Sequence, residues 1–141
     1  MILYLDTSAL VKKYFAEKHS AEVIAAWKSA WGIATSAVAF AELLAAVYRK
    51  ASEARIGKAR VKAIARVFEE DWSTFIIVEV DHRLNETVHK LIASHALRGF
   101  DAIHLSSALT IGAAVTDDFL FGCCDERLNQ AAKAEGLQTF P

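Results

Sequence analysis

The decisive stretch of the sequence is MILYLDTSAL, residues 1–10, where a strand pattern changes to a helix pattern. Residues 2–5 form an apolar run that favours a β-strand. Asp6 and the two hydroxyl residues that follow it supply side chains that can cap the first turn of a helix. We therefore predict a strand over residues 2–5 that leads directly into a helix reaching about Phe15.

Strand and helix patterns continue to alternate along the rest of the chain. The further predicted strands are 32–35, 75–80 (FIIVEV), 119–124 (FLFGCC) and 137–140. The further predicted helices are 20–30, 37–52 with Ser36 as its capping residue, 58–72, 83–97, 101–110, and one that starts at Asp125 and ends near Gly136. Strands separated by helices are typical of a parallel sheet with helices on both faces. We therefore predict an α/β fold and a single domain over residues 1–141.

Composition narrows the class of protein. The chain has 141 residues and is 54% hydrophobic, which is enough to build one core. Asp6 interrupts the apolar start of the chain, and no run approaches the roughly 18 apolar residues of a membrane span. The only cysteines, Cys123 and Cys124, are adjacent, a spacing that favours neither a disulfide framework nor a zinc site. We expect a soluble protein of the reducing cytoplasm.

Positive charge is concentrated in one segment although the formal net charge is only −1. Residues 49–66 contain seven basic residues and one acid, a net of +6, so the rest of the chain carries −7. One interpretation is an exposed helical face that keeps the surface hydrated. The other is a surface that follows the phosphates of RNA, with Lys58, Arg60 and Lys62 as the candidate contacts.

Four acids stand at positions that invite a functional interpretation. Parallel sheets bind ligands at the carboxyl ends of their strands, and Asp6 and Asp125 each follow a predicted strand. Asp101 precedes an apolar helix, and all three aspartates have helix capping as an alternative role. Glu42 differs because it lies inside the apolar helix AVAFAELLAAVY. Charges persist on such a face when they are paired or bound to a metal, so a long-range salt bridge is the alternative for Glu42.

Carboxylates without histidine or thiolate ligands suit a hard cation such as Mg²⁺ or Mn²⁺. Such a cation would also relieve the mutual repulsion of the acids. Two further residues are candidates for supporting the site. Ser8 can hydrogen-bond an acid or a water molecule, although capping of the first helix explains it equally well. His104 lies one turn after Asp101, and a structural role is the favoured interpretation for it.

Four motifs together resemble the PIN-domain ribonucleases: MILYLDTSAL, AFAELLAA, LRGFDAIHLSSAL and FLFGCCDERLNQAAKAEGL. The resemblance covers essentially the whole chain and is strongest to the toxins of VapBC-type toxin–antitoxin pairs. It implies a five-stranded parallel sheet of order 3-2-1-4-5 and places the four family acids at Asp6, Glu42, Asp101 and Asp125. It also implies RNA hydrolysis with Mg²⁺ or Mn²⁺, leaving 5′-phosphate and 3′-hydroxyl ends. One departure is Cys123, at a position where this family commonly has Thr or Ser.

The toxin resemblance further implies a small antitoxin as partner and a homodimer. The candidate surface for these interactions lies on the helices from Ala37 to Trp72. Two alternatives belong to other classes of protein. A metal-dependent phosphohydrolase would use Asp6 as a nucleophile, but such enzymes often place a second acid two residues later, where this chain has Ser8. A non-cleaving PIN-like module that binds RNA or protein is disfavoured because all four acids are present.

Overall fold

A five-stranded sheet forms the centre of the molecule, which a computed structural model describes over residues 1–141. The strands are β1 (Ile2–Leu5), β2 (Gly32–Ser36), β3 (Ile76–Val78), β4 (Phe119–Gly122) and β5 (Gln138–Phe140). The helices are α1 (Thr7–Leu10), α2 (Ser20–Ser29), α3 (Val38–Glu53), α4 (Lys58–Trp72), α5 (Asn85–His95), α6 (Gly99–Ala114) and α7 (Glu126–Ala134). Two short 3-10 turns, Val11–Lys13 and His82–Leu84, precede α2 and α5.

The sheet is parallel throughout, and its strand order is β3-β2-β1-β4-β5. The predicted fold class and strand order are therefore confirmed. β1 occupies the centre of the sheet, with Ile2 level with Gly32 of β2 and with Phe119 of β4. Because every strand runs in the same direction, the carboxyl ends of β1 and β4 lie side by side. The residues that directly follow these two strands are brought to the same edge.

Two hydrophobic cores lie on opposite faces of the sheet. The side chains of β1 alternate between them, with Leu3 and Leu5 in one core and Ile2 and Tyr4 in the other. The first core is completed by α1 to α4 and the second by α5 to α7. Helices therefore cover both faces, as a buried parallel sheet requires. None of the helices is long and apolar enough to cross a membrane.

Two strands, β3 and β4, are shorter than the sequence predicted. The strand predicted over 75–80 pairs only at Ile76–Val78, because its partner β2 ends at Ser36, opposite Val78. The strand predicted over 119–124 ends at Gly122, because its partner β1 ends at Leu5, directly opposite. In both cases the length of the partner strand ends the pairing before the apolar run in the sequence ends.

Two predicted helices begin or end differently because of local capping and tertiary contacts. The helix predicted to reach Phe15 ends at Leu10 and tightens into a 3-10 turn. Beyond that turn the Tyr14 hydroxyl donates to Asp71 at 2.9 Å, so an interaction with α4 prevails over the helical pattern. The helix predicted over 83–97 covers only Asn85–His95. It is preceded by a 3-10 turn and ends where Ala96 adopts a left-handed conformation, with φ of 51°.

Ser36 does not cap α3 as predicted. It is the last residue of β2, and Ala37 is the residue at the N-cap position of α3. The backbone N–H of Ala37 donates to the carbonyl of Val78 at 2.9 Å, which keeps this junction attached to the sheet. The Ser36 hydroxyl accepts only a long hydrogen bond, 3.4 Å, from the backbone of Val38.

Candidate active site

A cavity of about 970 Å³ opens at the carboxyl edge of the sheet, between α1, α3 and α6. All four acids selected from the sequence line it: Asp6, Glu42, Asp101 and Asp125. Two of them follow β1 and β4 directly, and the other two come from helices on the two walls. The topology therefore gathers side chains that are up to 119 positions apart in the sequence around one space.

Asp6 is the most buried of the four acids and has two roles in the fold. It is the N-cap of α1, where its Oδ1 accepts from the backbone N–H of Ala9 at 2.9 Å. The Ser8 hydroxyl lies 2.7 and 2.9 Å from the two carboxylate oxygens. The residue is only 4% exposed, and this burial raises the pKa of Asp6 above its ordinary value despite the hydrogen bonds that favour the carboxylate. Capping and a place at the cavity are thus combined in one side chain.

Ser8 connects the two strand ends of the site. Besides its contact with Asp6, its hydroxyl oxygen accepts from the backbone N–H of Cys124 at 2.9 Å. The segment after β1 and the segment after β4 are therefore joined by one side chain. Ser8 lies within α1, and Asp6 rather than Ser8 supplies the cap of that helix.

Glu42 has the long-range partner that its apolar helix requires, and that partner is His104. Its Oε1 atom accepts from the hydroxyl of Thr7 at 2.8 Å and lies 2.8 Å from Nε2 of His104. A carboxylate can only accept, so Nε2 of His104 carries a proton. In the neutral imidazole Nδ1 is then an acceptor, and the Tyr4 hydroxyl donates to it at 3.0 Å. Burial acts to raise the pKa of Glu42, but the hydrogen bonds from His104 and Thr7 outweigh it and the pKa lies below its ordinary value.

Asp101 caps no helix, and the capping alternative is wrong for this residue. The predicted helix 101–110 begins two residues earlier, at Gly99, so Asp101 lies in the first turn of α6 with Arg98 at the N-cap position. Burial raises the pKa of Asp101, and the negative charge of Asp125 raises it further. The guanidinium of Arg98 opposes this shift, with its Nε 3.7 Å from Oδ2 of Asp101. Two acids of the site therefore repel one another across the cavity.

Asp125 is the N-cap of α7, and its Oδ1 accepts from the backbone N–H of Leu128 at 2.9 Å. Cys123, the residue that departs from the family pattern, contacts the backbone of Asp125 and not its carboxylate. Its Sγ accepts from the Asp125 N–H at 3.2 Å and the thiol donates to the Asp125 carbonyl at 3.4 Å. Burial raises the pKa of the Cys123 thiol far above its usual range, so it stays neutral. The thiol holds the main chain here, and Leu128 orients the carboxylate.

The cations that line the cavity are not the ones selected from the sequence. Lys58, Arg60 and Lys62 lie on an exposed face of α4 and do not line it. The cavity-lining cations are Lys12, Arg49, Lys50 and Arg98. Lys12 and Lys50 both pair with Glu17, at 3.2 and 3.0 Å. Arg49 could have been selected from the sequence. It follows Glu42 by seven residues, or two helical turns, and so lies on the same face of α3.

The donor chemistry of the cavity fits a divalent cation with a preference for oxygen. Its acids are carboxylates. Burial raises the pKa of Asp101 and the charge of Asp125 raises it further, and a bound cation would relieve that repulsion. As the side chains stand, no three His, Cys, Asp or Glu residues lie close enough together to hold a metal ion directly. Asp6, Glu42 and Asp125 accept hydrogen bonds from protein donors, whereas the Asp101 carboxylate has only the ion pair with Arg98.

Comparisons with known proteins give one family from sequence and the same fold from solved structures. The PIN domain family model matches residues 3–134. Ribonuclease VapC45 of Mycobacterium tuberculosis (strain CDC 1551 / Oshkosh) is 30% identical over 140 residues, which cover 99% of this chain and 95% of the relative. The crystal structure of FitAcB from Neisseria gonorrhoeae has a TM-score of 0.71 at 17% identity and covers 100% of this chain and 97% of its own. VapBC2 from Rickettsia felis, bound to a DNA fragment from its promoter, has a TM-score of 0.65 at 16% identity and covers 99% and 98% of the two chains.

Proposed function

The chain belongs to the PIN domain family, and from this membership we propose that it is a metal-dependent endoribonuclease and the toxin of a toxin–antitoxin pair. The observation that carries the proposal is the convergence of four carboxylates on one cavity at the carboxyl edge of the sheet. The similarity to Ribonuclease VapC45 along 99% of the chain supports RNA as the substrate. The cytoplasm is the proposed location, since both cysteines are free thiols, as in reducing compartments.

In this proposal Asp6 and Asp101 anchor Mg²⁺ or Mn²⁺ most directly, while Glu42 and Asp125 complete its surroundings. The ion, when bound, supplies positive charge against the phosphate and promotes ionisation of the attacking water. Thr7 and His104 both donate to Oε1 of Glu42 and leave Oε2 free. The backbone N–H of Leu128 donates to Oδ1 of Asp125 and leaves Oδ2 free. Both oxygens of Asp6 lie within hydrogen-bond distance of the Ser8 hydroxyl, which would hold the carboxylate in place beside the ion.

Binding of the RNA backbone is assigned to Arg49 and Arg98, one on each wall of the cavity. Arg49 belongs to the basic segment 49–66 and lines the same cavity as the acids. The exposed side chains of Lys58, Arg60 and Lys62 would extend this positive surface away from the cavity and along α4. Arginine is suited to this role because its guanidinium can form two parallel hydrogen bonds with a phosphate.

The proposed partners are an antitoxin and a second copy of the chain, both on the surface of α3 and α4. Two large apolar side chains there, Tyr48 and Val67, are exposed. The fold similarity to VapBC2 supports an antitoxin as the kind of partner. Exposed apolar groups on adjacent helices are the kind of surface that protein partners cover.

The first prediction concerns the reaction itself. Fluorescently labelled single-stranded RNA is expected to be cleaved by the chain in the presence of Mg²⁺ or Mn²⁺ and to stay intact in EDTA. The products should carry the 5′-phosphate and 3′-hydroxyl ends that the family resemblance implies, formed as the 3′-oxygen leaves, and no cyclic phosphate, because water and not the 2′-hydroxyl attacks. Gel electrophoresis combined with analysis of the product ends makes the measurement. Cyclic 2′,3′-phosphate ends, or cleavage that persists in EDTA, would contradict the proposal.

The second prediction separates the two groups of cations by the salt dependence of RNA binding. Replacing Lys58, Arg60 and Lys62 by Ala should weaken binding and flatten the plot of log K against log salt. The slope should fall by up to about 0.7 for each phosphate that the variant no longer neutralises. Arg49→Ala should weaken binding more, for each charge removed, than the triple variant does, since Arg49 lines the cavity.

The matched control removes three exposed lysines outside the basic segment, Lys18, Lys28 and Lys133. It changes the net charge of the chain by the same amount as the Lys58, Arg60 and Lys62 variant. If both triple variants flatten the slope equally, the effect is one of overall charge and the α4 residues have no specific role.

A further inference from the structure

Phe100 presents an aromatic ring to solvent at the rim of the cavity. It is 58% exposed and lies in the first turn of α6, directly before Asp101. Most other aromatic rings of the chain, such as Phe40 and Phe68, pack against each other in the core. Phe100 has no aromatic neighbour. Its faces are thus available to a ligand that enters the cavity.

The surroundings of Phe100 indicate what kind of ligand this is. Arg98, two residues earlier, is 83% exposed on its side chain and also lines the cavity. Gly99, between them, has no side chain, and a Cβ placed there would meet nothing within 4 Å. The open face of Phe100 suits a flat base, and the guanidinium of Arg98 suits the phosphate joined to that base. Both lie beside Asp101, a carboxylate of the site. Nucleic-acid strands are bound by this combination of stacking and charge.

We propose that Phe100 is a stacking platform for an unpaired RNA base next to the phosphate that is cleaved, with Arg98 binding a phosphate on the same side. The inference rests on the proposed function and specifies its substrate as single-stranded RNA. In an RNA duplex both faces of a base are covered by neighbouring bases, so the platform would be of no use. Phe100 and Asp101 both line the cavity, so a base on the ring and a phosphate at the acids would share the same space.

The test compares cleavage kinetics of Phe100 variants on single-stranded and duplex RNA of the same sequence. Phe100→Ala and Phe100→Leu should raise KM on the single strand by about tenfold, within the range measured when a base loses its aromatic stacking partner. Their kcat should change little, since neither variant alters the acids. Phe100→Trp should retain the wild-type KM, because it keeps an aromatic face. Duplex RNA should be cleaved poorly by the wild type and equally poorly by the variants.

The matched control is Trp31→Ala. Trp31 is another exposed aromatic residue, 63% exposed, but it directly precedes β2 and so lies at the opposite edge of the sheet. This variant should leave KM unchanged. If Phe100→Leu behaves as the wild type, the interaction is apolar and not a stacked base, and the inference is overturned. An unchanged KM for Phe100→Ala, or equal cleavage of duplex and single strand, overturns it as well.

A binding measurement separates the failure of this inference from failure of the proposed function. RNA with 2-aminopurine at successive positions is titrated onto the Asp6→Asn protein with Mn²⁺, so that the strand stays intact. Quenching at one position that disappears with Phe100→Ala supports the platform even if the wild type cleaves no RNA. Quenching that is independent of Phe100, in a chain that does cleave RNA, rejects the platform and leaves the ribonuclease assignment standing. If Phe100→Ala instead weakens only binding of a protein partner, the ring belongs to a protein interface and the inference fails.

Discussion

Replacing Asp6 or Asp101 by Asn is expected to abolish RNA cleavage while the metal-free protein melts at or above the wild-type temperature. Each substitution keeps the shape of the side chain and removes one negative charge from the cavity. Activity should fall by at least about 100-fold, the upper end of the effect of losing a residue that only supports a metal ligand. Mg²⁺ should also lose most of its stabilising effect, because stabilisation by a ligand depends on its affinity for the folded state.

The direction of the stability change follows from the pKa shifts. The pKa values of both Asp6 and Asp101 are raised by folding. Such a group contributes stability that is fully present below its unfolded pKa and is lost as the pH rises through its folded pKa. Ionisation of either carboxylate in the folded protein therefore costs stability, and Asn removes that cost. The advantage of the variants over the wild type should shrink as the pH is lowered towards the unfolded pKa of Asp.

Alanine at the same two positions separates capping from repulsion. Asp6→Ala should lose about 0.5–2 kcal/mol through the missing cap of α1, offset in part by relief of the buried charge. Asp101→Ala loses no cap, so only the relief remains. Asp117→Asn, on an exposed acid outside the cavity, is the control. Melting curves with and without Mg²⁺ make the measurement, and equal Mg²⁺ shifts in the wild type and both Asn variants would rule out the shared metal site.

Replacing His104 by Leu should be among the most destabilising single changes in this chain. His104 is only 2% exposed and joins the hydroxyl of Tyr4 to the carboxylate of Glu42. Leucine leaves the fully buried Tyr4 hydroxyl without this partner and removes one of the two donors to Glu42. We expect a loss of about 2–4 kcal/mol in the free energy of unfolding. For a chain of this size that lowers Tm by roughly 10 °C.

A double variant and a conservative variant test this explanation. Adding Tyr4→Phe to His104→Leu removes the orphaned hydroxyl, so the pair should recover about 1 kcal/mol relative to His104→Leu alone. His104→Gln retains an N–H donor towards Glu42 and should preserve more activity than Leu, which should lower kcat by about 10- to 100-fold. If Gln and Leu reduce activity equally, His104 only fills space. If Tyr4→Phe makes the Leu variant worse, the network explanation is wrong.

The acid side of the stability curve provides an independent check on Glu42. Its pKa is lowered from the ordinary value of 4.5 by folding. A group of this kind contributes stability that is present above its unfolded pKa and is lost as the pH falls through the lower folded pKa. In His104→Leu the shift is smaller because one donor is gone. The loss of stability below about pH 4.5 should therefore be shallower in that variant than in the wild type.

The sequence was sufficient for the features that depend on local pattern. The strand at residues 2–5 and the basic helix 58–72 were predicted from their residue patterns. The strand order was implied only by the resemblance to the family and not by any local pattern. The position of Asp6 and Asp125 at the same edge of the sheet followed from the rule that ligands bind at the carboxyl ends of parallel strands. Glu42 stood out because a charge inside an apolar helix needs a partner.

The remaining features depend on interactions between distant residues, which one sequence does not display. His104 lies 62 residues from Glu42 and 100 from Tyr4, so their network exists only after the sheet has formed. The ends of β3 and β4 are set by the lengths of their neighbours. Helix α6 begins at Gly99 although neither Gly99 nor Phe100 signals a helix start, and Asp101 could therefore be mistaken for its cap.

Two of the four acids cap helices, and the other two do not. This difference matters for the interpretation of relatives of this chain. Asp6 and Asp125 each begin a helix, so a descendant that no longer cuts RNA would still gain stability from keeping them. Asp101 has no such second use, and Glu42 contributes to the fold only through its bonds with Thr7 and His104. Loss of catalysis during evolution should therefore erase Glu42 and Asp101 first. A relative that retains only the two capping acids carries the remnant of a nuclease.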